Sequence, residues 1–219
     1  MEAIADIKPQ FVEYPPEPRR RFERVLLRDI DYRVHPQMRV AVAAAQGWLE
    51  ARKLGNKRAS LVLVAAAGGK GTGFGCGKTH IARACLHTDC YWVDDEPVAP
   101  VGRFWLATDL MEELGIGTPL THVAQTGTII VIDDVGAEET LAYVSAAAQD
   151  AERQNRYFRI INHCYENHVS VIITGNMTPQ YLAQHVGGRA WSRLQQMCPP
   201  GCIVDMTGVP DYRLRLRHA

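Results

Sequence analysis

Gly73-Phe74-Gly75-Cys76-Gly77-Lys78-Thr79 lies between an apolar run, Leu61-Val62-Leu63-Val64-Ala65, and a segment with helical character from about Lys78 to Leu86. Glycines let successive backbone N–H groups turn toward one anion, and a helix N-terminus adds partial positive charge. A lysine placed there reaches the β- and γ-phosphates of a nucleoside triphosphate. The candidate nucleotide-binding residues are Gly73, Gly75, Cys76, Gly77, Lys78, Thr79 and His80, with the Thr79 hydroxyl suited to holding Mg²⁺. The loop departs from the usual GxxxxGK[ST] spacing, which wants a glycine where this chain has Thr72, preceded by Gly71. A second group is Ile129-Ile130-Val131-Ile132-Asp133-Asp134, an apolar strand ending in two carboxylates. One acid beside Mg²⁺ and another near the attacking water is what phosphoryl transfer to water requires; Asp133 takes the metal role and Asp134 the water role. The third is Val171-Ile172-Ile173-Thr174-Gly175-Asn176, whose terminal amide can hydrogen-bond a γ-phosphate or that water.

Positioning these groups requires strands that end together. Leu61 to Ala65, Phe104 to Ala107, Ile129 to Ile132, Val169 to Thr174 and Cys202 to Met206 are continuous apolar runs, as strands buried on both faces of a sheet must be. Helical segments alternate with them. Pro36 opens one that runs through Met38, Val42, Ala45, Trp48 and Leu49 and stops before Gly55. Another is capped by Thr108 or Asp109 and reaches Leu114, and residues 140 to 167 are mostly helical. The pattern predicts an α/β fold, a five-stranded, mostly parallel sheet with helices on both faces, and ligands at the carboxyl ends of the strands.

The 219 residues suffice for one such domain, and 47% hydrophobic with 22% charged residues excludes disorder and coiled-coil rods. No apolar run reaches membrane-spanning length and the N-terminus lacks a signal pattern, so the expectation is a cytoplasmic protein with no membrane contact. The formal net charge is +0, yet lysine stands only at positions 8, 53, 57, 70 and 78, so 19 of the 24 basic residues are arginine. Arginine suits bidentate contact with phosphate, although codon usage explains the bias equally well. Arg19, Arg20, Arg21 and Arg24, and Arg213, Arg215 and Arg217, form terminal clusters that suit either nucleic-acid backbone or solvent. Residues 1 to 34, rich in Pro and Arg, read as an extended arm and 35 to 219 as the folded domain. Six cysteines without a CxxC pair are expected to be free thiols.

The strings GKTHIA at 77 to 82, RFWLATDLMEEL at 103 to 114, IDDVGAE at 132 to 138, ITGNMTPQYL at 173 to 182 and GRAWSRL at 188 to 194 occur in this order. Together they resemble the DnaC, DnaI and IstB group of AAA+ ATPases, the helicase loaders and the ATP-binding helpers of transposases, over residues 36 to 216. The resemblance implies ATP and Mg²⁺ as ligands, a three-layer P-loop NTPase fold with a minimal C-terminal lid, and assembly into a homo-oligomer. It implies that Asn176 is the sensor 1 residue and Arg193 an arginine finger reaching a neighbouring subunit's nucleotide, with Arg189 the substitute. Arg213, in Asp211-Tyr212-Arg213, resembles the family's Ser-Tyr-Arg ending and becomes the sensor 2 candidate, an exposed terminal arginine being the alternative. The implied function is a DnaC-like loader that recruits or remodels a replicative helicase on DNA, single-stranded by preference. The alternatives are an IstB-like helper that selects or bends target DNA for a transposase, and a nucleotide-binding scaffold with little hydrolysis.

Several positions depart from the family pattern. Many relatives carry Glu where this chain has Asp134, one methylene shorter, which implies slow hydrolysis. Asn162-His163-Cys164-Tyr165-Glu166 lacks the arginine of the family's Asn-x-Arg-Tyr-Glu string, removing one contact in trans. Residues 88 to 102, with Asp94, Asp95 and Glu96, read as an acidic insertion, and the chain begins too close to the first helix for a dedicated helicase-binding or zinc-bearing domain.

Overall fold

A computed structural model describes residues 25–33, 35–66, 74–89, 91–93, 96–98, 102–125, 128–138 and 145–211. Its centre is a five-stranded sheet of β1 (Leu61–Val64), β4 (Arg103–Leu106), β5 (Ile129–Val135), β6 (Ser170–Gly175) and β7 (Ile203–Asp205). The strand order is β4-β5-β6-β1-β7 and every pairing is parallel. All five expected strands are present, and the sheet is parallel throughout.

Strand alternation explains the layers, because side chains of period two face opposite sides. Leu61 and Leu63 of β1, Ile129 and Val131 of β5 and Ile172 of β6 join one core with α1 (Pro36–Lys53) and α2 (Lys78–Asp89). Val62, Val64, Ile130, Ile132, Val171 and Ile173 join the other. That second core is covered by α3 (Ala107–Gly115), α5 (Ala146–Glu166), α6 (Pro179–Val186) and α7 (Gly188–Met197), while α4 (Leu120–Val123) is a single turn. Full burial of each aliphatic side chain contributes about 1.5–3 kcal/mol, so the two cores supply the fold's main driving force.

Helix boundaries follow local chemistry. Pro36 is the first residue of α1 and the His35 side chain accepts from Gln37 N. Trp48 on α1 reaches across to β6, its indole N–H donating to Ala59 O at 2.8 Å and Ser170 Oγ at 3.0 Å. Ser145 caps α5 and Thr178 caps α6, each hydroxyl accepting a first-turn N–H. The expected Thr108 or Asp109 cap of α3 is corrected: Leu106 is the N-cap and no side chain caps it. β4 runs straight into α3, leaving Thr108 inside the helix, where its hydroxyl donates to Asp109 Oδ1.

Two further features go beyond the sequence reading. A short 3-10 helix, Leu27–Asp29, puts Leu27 and Ile30 in the first core, and Leu27 N donates to Thr88 Oγ1 at the end of α2. Within residues 88 to 102, β2 (Tyr91–Val93) pairs antiparallel with β3 (Glu96–Val98). Residues 1–24, the part of 140 to 167 before Ser145, and the C-terminal arginines lie outside the described residues. No described helix is long and apolar enough to cross a membrane.

Candidate functional site

The parallel arrangement brings the carboxyl ends of β1, β5 and β6 side by side, with the N-terminus of α2 above them. Gly75 and Gly77 have φ of 66° and 94°, left-handed backbone that glycine adopts without strain. The Asp211 carboxylate lies directly against Gly75, in the space a Cβ would take, and Met38 of α1 packs on Gly77. Cys76 between them is buried, its sulfur 3.4 Å from Lys78 Nζ. Lys78 is only 7% exposed at the first turn of α2, where the helix dipole and its own charge have the same sign. His80 follows, and burial lowers its pKa from 6.5, which leaves the ring neutral at pH 7.

The acids sit on an irregular strand end. The β5–β6 register shifts between Ile132 and Val135, and Asp134 has φ of 60°, unusual for a residue with a Cβ. This bulge turns the two neighbouring carboxylates to different partners. Asp133 accepts from Thr79 Oγ1 at 2.9 and 3.1 Å and from Thr174 Oγ1 at 2.5 Å. Thr174 in turn accepts from Asp134 N at 2.9 Å, so one hydroxyl fixes both acids. Asn176 Nδ2 donates to Asp134 Oδ1 at 2.5 Å. Burial raises the Asp133 pKa; the Thr174 and Thr79 hydroxyls oppose the shift, and the adjacent Asp134 charge adds to it.

Thr79 and Asp133 fit Mg²⁺. A hydroxyl and a carboxylate from different elements converge within 3.1 Å, and oxygen donors are what this hard cation takes. No group of three His, Cys, Asp or Glu side chains with metal-binding geometry occurs among the described residues. The remaining positions of an octahedral ion would therefore fall to phosphate oxygens and water.

The structure thus brings Gly75, Cys76, Gly77, Lys78, Thr79, Asp133, Asp134 and Asn176 to one end of the sheet. Gly73 and Arg213 lie outside the described residues. Arg193 lies elsewhere, on α7, its guanidinium over the rings of Phe158 and Tyr165 on α5, and Arg189 also stacks on Phe158. Arg193 has no hydrogen bond or ion pair with the strand-end cluster. Cys164, at the position of the family's arginine, is fully buried in the second core, and burial raises its thiol pKa far above the ordinary range.

Sequence reasoning missed two contributors. Thr174 read as a β-branched strand residue, although a hydroxyl closing an apolar strand beside two acids is a signal. Glu138 contributed only to a family string. Its carboxylate accepts from Gly136 N at 2.7 Å, from the Tyr157 hydroxyl and from His185 Nε2 at 3.1 Å. Burial disfavours its charge, but the His185 and Tyr157 hydrogen bonds outweigh that and hold its pKa below the usual value. Glu138 is thereby committed to binding the β5 loop to α5 and α6.

No family model and no curated protein matches the chain. Solved structures do. A DnaC helicase loader superposes with a TM-score of 0.61 at 20% identity, covering 85% of this chain and 98% of that one. DnaI superposes at 0.59 with 18% identity, over 86% of this chain and 90% of that one. A replication initiator DnaA bound to AMPPCP and single-stranded DNA gives 0.51 at 19% identity, over 82% of this chain and 49% of that one. The chain shares the fold of these proteins, an α/β arrangement that here is built around a five-stranded parallel sheet.

Proposed function

We propose that the chain is an ATPase of DNA replication that binds ATP with Mg²⁺, assembles with its own copies on DNA, single-stranded by preference, and recruits or remodels a replicative helicase. The observation that carries this reading is the convergence of Lys78, Thr79, Asp133, Thr174, Asp134 and Asn176 at the strand ends, in a fold shared with a DnaC helicase loader and DnaI. Gly75 and Gly77 shape the loop so that its N–H groups receive phosphate oxygens, and Lys78 neutralises charge on the β- and γ-phosphates. Held by Thr79 and Asp133, Mg²⁺ would supply further charge stabilisation at those oxygens.

Asp134 orients the attacking water. Its Oδ1 accepts from Asn176, and a γ-phosphate would compete for that same amide. Drawing Asn176 away frees the carboxylate, so water activation follows occupancy of the γ-position. Arg193 of an adjoining copy completes the charge balance, with Arg213 the sensor 2 candidate from the same chain. Hydrolysis then depends on assembly, and the nucleotide acts as a switch that sets and releases the subunit interface.

The test is ATP turnover with and without single-stranded DNA, with Lys78→Ala as control, together with capture of host proteins on an Asp134→Asn chain in ATP. Turnover above the Lys78→Ala level and a replicative helicase in the eluate are expected. Turnover at the control level under every condition reduces the protein to a nucleotide-binding scaffold. A transposase subunit in the eluate assigns it instead to target-DNA selection.

A further inference from the structure

Arg193 is held by an alternating stack that spans three parts of the chain. On α5, Phe158, Asn162 and Tyr165 have the spacing of one helical stripe; on α7, Arg189 and Arg193 are one turn apart. The Arg193 Cζ lies 5.8 Å from the Phe158 ring centre and 4.9 Å from that of Tyr165. Arg189 lies 4.3 Å from Phe158, and Arg58, just before β1, lies 4.7 Å from Tyr165. Arg193 thus shares the Phe158 ring with Arg189 and the Tyr165 ring with Arg58. The Tyr165 hydroxyl is tied to α7 through Gln196 Oε1 at 3.2 Å.

A merely structural stack would not be built this way. Three guanidiniums share two rings, and among the described residues no carboxylate pairs with any of them. Arg193 Nε is buried without a hydrogen-bond partner, and so is Asn162 Oδ1 on the same stripe. Neighbouring like charges and the unmade hydrogen bond at Arg193 Nε both oppose folding. What the arrangement secures is orientation. Rings packed on a guanidinium restrict its rotation, and with Nε buried the terminal N–H groups are what remain to bind phosphate oxygens.

We propose that Phe158 and Tyr165 are positioning residues that clamp Arg193 and present its free edge to the γ-phosphate held by an adjoining copy. The proposal rests on the trans role given to Arg193 above and adds what holds that side chain ready. Arg58 packs on the Tyr165 ring and Arg189 on the Phe158 ring, so each ring of the clamp carries a second guanidinium. A misplacement of about 1 Å at a reacting group can cost about a hundredfold in rate, so a clamp of this kind has a kinetic consequence out of proportion to its packing.

The experiment uses mixed assemblies of the full chain. Lys78→Ala copies cannot use ATP but can donate Arg193; Arg193→Ala copies can bind ATP but donate nothing. Mixing the two is expected to restore turnover. Placing Phe158→Leu or Tyr165→Leu on the Lys78→Ala donor should lower the restored kcat about tenfold with the KM for ATP unchanged. Tyr165→Phe on the same donor, which keeps the ring, should restore it within about twofold. Thermal unfolding of each donor separates a misfolded chain from a misplaced arginine, and Phe158→Trp supplies a second ring-retaining donor. Restoration by the Leu donors equal to that by the parent donor overturns the clamp alone. Failure of the unaltered pair to complement, with both chains folded and co-assembled, overturns the trans reading and the clamp with it.

Discussion

At the ends of β5 and β6 the carboxylate of Asp133 receives two hydroxyls and that of Asp134 an amide, whereas on the α5–α7 face three guanidiniums share two rings and no described carboxylate. The first region satisfies its polar groups from within one chain. The second holds donors for which the described residues supply no carboxylate. A buried acid can relieve its charge by taking a proton, but an arginine keeps its charge at any pH a protein meets. On the proposed reading, the α5–α7 face is the one a second copy completes and the strand ends are where the nucleotide binds.

The largest expected effects test that division. Lys78→Ala and Arg193→Ala should each lower ATP turnover about 10³-fold, the usual range for removing a charge that neutralises the transferring phosphoryl group. They should differ in binding: Lys78→Ala weakens ATP affinity strongly, while Arg193→Ala leaves the affinity of the isolated chain within about twofold. Equilibrium binding of a fluorescent ATP analogue beside steady-state turnover checks both. Loss of binding in Arg193→Ala would place that residue within its own chain's site and end the contrast drawn here.

A smaller effect of opposite sign comes from Asp133. Burial raises its pKa, so its ionised form is disfavoured by folding at neutral pH. Asp133→Asn should stabilise the ligand-free protein by about 1 kcal/mol, seen as a Tm about 2–4 °C higher for a chain of this size. The same change should abolish the further stabilisation that ATP with Mg²⁺ gives the parent chain, since binding to the native state alone is what raises Tm. Thermal unfolding with and without ATP and Mg²⁺ measures both; an unchanged ligand effect would remove Asp133 from the metal role.

Much of the matched region could be read before any coordinates. Apolar strands that end in Asp133-Asp134 or just before Asn176, and one followed by a loop to Gly-Lys-Thr at a helix start, can be placed together from local sequence, because parallel strands deliver their carboxyl ends to one place. What was hidden depended on tertiary contact or on a local conflict. Thr174 looks like any β-branched strand residue until β6 lies beside β5. Leu106 is a poor cap by type, yet it begins α3 because β4 leaves no residues for a loop. Pro97 argues against a strand, and the stretch with Asp94, Asp95 and Glu96 read only as an acidic insertion, so the β2–β3 hairpin was not foreseen. The order of the arginines and rings on α5 and α7 follows only from how those helices pack.

Glu138 offers an effect of the same size and the sharpest check on the matched side, because it is bound by side chains 19 and 47 residues downstream. Its three donors come from the β5 loop, α5 and α6, so its charge holds the loop after Asp134 to the helices behind it. Glu138→Gln keeps the shape and removes the charge, trading charge-assisted hydrogen bonds for neutral ones, which differ by about 1 kcal/mol. The expected result at pH 7 is a Tm about 2–4 °C lower. The pH dependence has a definite sign. A carboxyl whose folded pKa lies below its ordinary 4.5 stabilises fully above that value, and the contribution disappears as pH falls through the folded pKa. The Tm difference between parent and Glu138→Gln should thus be complete at pH 7 and narrow progressively below about pH 4.5. A difference that persisted unchanged to pH 3 would mean that shape, and not charge, holds the loop. The placement of Asp134 would then rest on the bulge, Thr174 and Asn176.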